Sequence, residues 1–145
     1  AGSSMTVTYD DGVDGGGYRC GVKKILIDFL TDDATGACTV DTRKIVGELI
    51  KLVTDPGATA TTANWDVVIT DPEGMTVTAG CDNAASLLTR HTTNSEQTYL
   101  HLLNSAATPV GIATYPVVCD VLTIAVANGG NAKNGQIILY YKPLS

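Results

Sequence analysis

Basic residues are scarce in this chain of 145 residues: Lys plus Arg total 9 against 15 Asp plus Glu, a net charge of -6 and an isoelectric point near 4.6. A nucleic-acid or anionic-membrane binder needs a basic face, so that balance argues against both. Aromatic side chains make up only 6% of the residues, with a single Phe and a single Trp. No apolar run approaches the ~20 residues that a membrane helix needs. The N-terminus lacks a basic stretch followed by an apolar one, so no secretory signal is expected. Four cysteines stand at positions 20, 38, 81 and 119, none in a C-x-x-C pair. That spacing excludes a zinc ribbon or a thioredoxin-type site. Cys20 and Cys119 lie in strand-like runs, where a free thiol packs as a small hydrophobe. Free thiols are therefore the expectation.

What the chain has in quantity is β-branched side chains. Thr, Val and Ile together supply 43 residues. Branching at Cβ stiffens a side chain and suits a pleated, half-buried surface. Fifteen glycines, several of them after Asp, Asn or Pro, supply turns. Hydrophobic residues are 44% and charged residues 17%, the composition of a folded domain. The expectation is an all-β, single-domain antiparallel β-sandwich, jelly-roll-like, with one short helix near residues 83–90. Ala1 to Ser4, ahead of Met5, read as a cloning remnant, and residues 5–145 as one β-sandwich domain.

Alternation places the strands. Tyr18 to Leu30 reads as a long strand with Ile25, Ile27 and Phe29 on one face and Lys24, Leu26, Asp28 and Leu30 on the other. Residues 37–54 read as two strands or one bent strand, with Ile45, Leu49 and Val53 sharing a face. Helix competes over Lys44 to Val53, because Glu, Leu and Lys also favour it. Asn64 to Thr70 puts Trp65, Val67 and Ile69 on one side. Asp71 to Gly74 then turns the chain into Met75 to Ala79, a hairpin. Asp82 is placed to cap a helix from Asn83 to Arg90. Pro109 to Tyr115 reads as a short strand. Pro116 to Ala127 and Gln136 to Lys142 read as a closing hairpin. In its second arm Ile137, Leu139 and Tyr141 face one way, with Ile138 and Tyr140 the other. A strand apolar on both faces is central, or covered by a second surface.

No pattern carries chemistry. Asp10, Asp11 and Asp14 in the glycine-rich loop are spaced like cation ligands, but Gly12 occupies a ligand position and no bidentate Glu follows. Gly15 to Gly17 do not make a dinucleotide fingerprint, and no phosphate loop is present. His91 and His101 are too widely spaced for a local metal motif. Ser86, Ser95 and Ser105 lack a nucleophile elbow, and Asp32 with Asp33 read as turn formers. Trp65 and the tyrosines could build a sugar-stacking platform, although a Trp heading an apolar strand more often belongs to a core. No catalytic, cofactor-binding or metal residue is assigned.

The stretch GELIKLVTDPGATATTANWDVVITD (Gly47 to Asp71) resembles small β-rich virion proteins of tailed bacteriophages. VKKILIDF (Val22 to Phe29), NSEQ (Asn94 to Gln97) and GQIILYY (Gly135 to Tyr141) extend the resemblance over most of the chain from Val22 onward. The glycine-rich start and the cysteines do not match that pattern. The resemblance implies a non-catalytic structural protein of the virion, a capsid decoration or cement protein assembled in the host cytoplasm. Its implied partners are itself, as a homo-oligomer, and the major capsid protein, with neither nucleic acid nor membrane. The alternative from a different class is a receptor- or carbohydrate-binding β-sandwich of a tail or fibre, which would expose Trp65 or tyrosines in a shallow groove.

Overall fold

A computed structural model describes residues 2–13, 15–17, 21–62, 64–77, 88–90, 94–100 and 115–143. Among them every regular element is a strand: β1 (Ser4–Asp10), β2 (Lys23–Leu30), β3 (Cys38–Pro56), β4 (Trp65–Thr70), β5 (Leu88–Arg90), β6 (Glu96–Tyr99), β7 (Val117–Ala127) and β8 (Asn134–Pro143). All pairings are antiparallel, in the order β1-β2-β8-β3-β7-β4-β5, with β6 also on β3. Ser4 is already in the ladder, opposite Leu30, so the strand starts one residue before Met5.

The 19-residue β3 belongs to two layers. Its first half pairs with β7, and its second half pairs with β8 on one edge and β6 on the other. Register breaks between Asp41 and Lys44, and again between Leu49 and Lys51, mark two β-bulges. A bulge bends its strand and increases the local twist. One hydrogen-bonded sheet therefore folds over itself. One layer is β1-β2-β8 with the second half of β3 and β6. The other is the first half of β3 with β7-β4-β5. β1 and β2 lie in the first layer and β4 and β5 in the second, and β6, β7 and β8 then alternate between the two.

The two layers close on an apolar interior. Ile25, Ile27 and Phe29 of β2 and Ile137, Leu139 and Tyr141 of β8 face Trp65, Val67 and Ile69 of β4 and Leu122, Ile124 and Val126 of β7. Phe29 and Trp65 meet across the interior, ring centroids 5.3 Å apart at a 43° tilt. Along a seam beside the first half of β3, Tyr9 of β1 accepts a hydrogen bond from the Arg43 amide (2.6 Å), and the Arg43 guanidinium lies 4.1 Å from the Tyr9 ring centroid.

Several expectations change. Residues 88–90 are strand β5, paired with Trp65 to Val67, not the end of a helix; residues 83–87 lie outside the described residues. The unpaired edge of β4 takes this segment as a ladder partner, which outweighs its helix propensity. β7 and β8 do not form a hairpin, because β3 lies between them and pairs with both. Val53 is half-buried while Leu52 is fully buried. The bulge at Ile50 adds one residue, so the core face moves from odd to even positions. Lys44 to Val53 is strand, not helix. The Asp71 turn returns the chain to β4 by a bridge between Thr70 and Thr76. Expectations for Cys20, Cys81, His91, His101 and residues 109–114 also lie outside the described residues.

Candidate functional site

Among the described residues, several side chains with the chemistry for a site are held in structural contacts. In the acidic loop Asp10 accepts the Gly12 amide (2.9 Å). Asp11 pairs with Arg43 at 2.7 Å and with Lys23 at 3.9 Å. Asp14 lies outside the described residues. Asp32 accepts the amides of Ala34 (2.8 Å) and Thr35 (3.0 Å) in a turn, and those bonds hold its carboxyl below the usual range. Ser95 donates its hydroxyl proton to Asp55. Trp65 is 1% exposed and belongs to the core, so it offers no sugar platform. Cys38 is buried and Cys119 exposed, both free thiols. The expectation that Cys119 packs inward is corrected: alternation along β7 turns it to the outer face. Among the described residues no three His, Cys, Asp or Glu side chains converge as a metal site would require.

What the fold does build is two outward sheet faces. On the layer containing β7, Val117, Cys119 and Val121 alternate along one side of the strand, and Val46 of β3 stands opposite Cys119. Val117 is 65% exposed, and Val46 and Val121 are each 39% exposed. Lys44 and Glu48 flank them, opposite Val121 and Val117. Val46, Val117, Cys119 and Val121 thus form an exposed apolar patch, the arrangement that marks contact sites.

The outer face of the other layer is ordered in rows across the strands. One row runs Lys24, Tyr140, Lys51, Tyr99; the next Leu26, Ile138, Val53, Gln97; the third Asp28, Gln136, Asp55. Lys51 lies 4.4 Å and Lys24 5.2 Å from the Tyr140 ring centroid, and Lys51 is 5.6 Å from that of Tyr99. At the acidic end Gln136 donates to Asp28 (3.2 Å), and an open cavity of about 600 Å³ is lined by Thr6, Asp28, Asp55, Asn134 and Gln136 among others. The sequence carries a trace of this order: KILID (24–28) and KLVTD (51–55) both read Lys-x-apolar-x-Asp. Only the pairing of both segments with β8 shows that the two lysines lie at one end and the two aspartates at the other.

No protein-family model and no curated protein matches the chain. Among solved structures, a crystal structure of iron(II) HppE is similar at 13% identity and a TM-score of 0.28, over 93% of this chain and 56% of that one.

Proposed function

We propose that this chain is a non-catalytic structural protein that works by surface contact, a decoration or cement protein of a tailed-phage head that bridges major capsid subunits. The observation that carries the contact role is the exposed patch of Val46, Val117, Cys119 and Val121 on a rigid sheet face. Burial of such a patch favours association, and a sheet holds its side chains in place without an ordering cost on binding. The virion setting comes from the sequence resemblance across Val22 to Tyr141. Against the carbohydrate-binding alternative stand the burial of Trp65 and the two lysines on the Tyr140 ring, which compete with a sugar for its face.

Co-sedimentation tests the reading. Capsids assembled from the major capsid protein encoded beside this gene are mixed with the purified full chain, wild type or Val117→Asp/Val121→Asp. The expected result is saturable binding of the wild type and loss of at least tenfold in affinity for the variant, with unchanged thermal unfolding. No binding by the wild type, or the absence of a capsid gene beside it, overturns the virion reading. Equal binding by both proteins overturns the patch.

A further inference from the structure

The rows on the outer face of β2, β8 and β3 have a symmetry of their own. Lys24, Leu26 and Asp28 stand in one column, Tyr140, Ile138 and Gln136 in the next, and Lys51, Val53 and Asp55 in the third. The lysine row lies on one side of the apolar row and the aspartate row on the other. Rotate a copy of this face by 180° about the apolar row and lay it on the original. Each lysine then meets an aspartate of the same column: Lys24 over Asp28, Lys51 over Asp55, and the reciprocal pairs. Leu26, Ile138 and Val53 meet their own copies along the axis. A copy laid on without that reversal would put lysine on lysine and aspartate on aspartate. We propose that a second copy of this chain packs on this face about a two-fold axis running along Leu26, Ile138 and Val53.

Charge complementarity is the argument for that occupant. The chain as a whole carries a net charge of -6, which opposes indiscriminate self-association. Across β2, β8 and β3 this face is instead divided into a cationic and an acidic end, with Asp10 of β1 beside Lys24 and over Thr6 of the copy, and an isologous interface must be self-complementary in that way. The acidic end is concave, an open cavity of about 600 Å³ reaching Asp28 and Asp55, and receives the longer Lys and Tyr side chains of the copy. Stacked sheets cross at ~30°, and the flexible four-carbon stem of Lys absorbs the offset this gives the outer pairs. Five strands at ~4.8 Å spacing and about seven residues at ~3.4 Å each give a face on the order of 500 Å² per copy. The pair then buries roughly 1,000 Å², the low end for specific complexes. A weak, concentration-dependent dimer follows, with the charges fixing its register.

This deepens the contact-protein reading above by naming the partner of a second face, and it rests on that reading only in kind. Its residues are separate from the Val117 patch, and its test uses the isolated full chain, so either reading can fail alone. Sedimentation velocity over a concentration series compares the wild type with Lys24→Asp/Lys51→Asp and with Asp28→Lys/Asp55→Lys. Each double variant is expected to self-associate at least tenfold more weakly than the wild type. An equimolar mixture of the two, and the fourfold variant carrying all the exchanges, are expected to recover dimer, which a fold defect could not do. High salt weakens the wild-type dimer. As a second measurement, Ile138→Cys in a Cys119→Ser background forms a dimer linked through the introduced thiol on mild oxidation, because the axis brings position 138 onto itself. A wild type that stays monomeric throughout, double variants that dimerise as the wild type does, or a mixture that recovers nothing overturns the proposal.

Discussion

Thr42 is a polar side chain only 5% exposed in the middle of a strand, and the first bulge of β3 is built on it. Its hydroxyl donates to the Arg43 carbonyl (2.7 Å) and accepts the Leu122 amide (3.1 Å), covering backbone groups that the broken register leaves without ladder partners. Thr42→Val keeps the shape and removes both bonds. Urea unfolding should show a loss of about 1–3 kcal/mol, the cost of a buried donor left unsatisfied, and Thr42→Ser should recover most of it. The two described thiols make a second residue-scale contrast. Burial pushes the Cys38 thiol from 9.0 up to about 11, while Cys119 stands in solvent. Site-resolved alkylation of the native protein at pH 8 should label Cys119 and spare Cys38 until the chain unfolds. A raised pKa means that the unfolded thiol ionises first. The Cys38 contribution is therefore complete below pH 9 and is lost between about 9 and 11. Cys38→Val should flatten that part of the stability-pH curve relative to wild type.

Elements show where local pattern is enough and where it is not. Alternation alone places Ile25, Ile27 and Phe29, then Trp65, Val67 and Ile69, then Ile137, Leu139 and Tyr141 on core faces, and all nine are buried. These strands run without a bulge, so period two holds along each. In β3 it does not hold, and the position of Val53 is illegible in the sequence because nothing in ELIKLV marks Ile50 as the extra residue. Strand partners are illegible for a related reason: β7 and β8 are adjacent in sequence, but β3 already occupies the edge each would offer the other. The lysine-aspartate columns share this limit, since two similar pentapeptides 27 positions apart become one face only through β8. The bulge makes a sharp prediction. Deleting Ile50 removes the extra residue and leaves a regular ladder against β8, with Leu49, Leu52 and Thr54 still on the core face and Lys51 and Val53 still outward. The variant should therefore still unfold in one transition, at a lower temperature because β3 loses the bend between its two halves, whereas Ile50→Ala should stay close to wild type; circular dichroism with thermal unfolding reads both.

At the scale of the whole molecule, the last strand lies near the middle of the sheet. β8 separates β2 from β3 and pairs with both along most of its length, and it brings Ile137, Leu139 and Tyr141 to the interior. The partners in the β2–β8 ladder are more than a hundred residues apart in the chain, Leu26 with Ile138 for example. The layer containing β1 therefore cannot form until β8 has been made, and closing so large a loop places folding in the slow, millisecond-to-second range of sheet proteins. Without β8, β2 and β3 would each present an unpaired edge around an opened core, the condition that leads to strand pairing between chains. A chain ending at Lys133 should thus be unfolded or aggregated by circular dichroism and sedimentation. A synthetic peptide of residues 134–145 added during refolding should restore soluble sheet, because its backbone supplies both missing ladders and its alternate side chains refill the interior. Soluble, cooperatively folded truncated chain without the peptide would show that the core forms without its central strand.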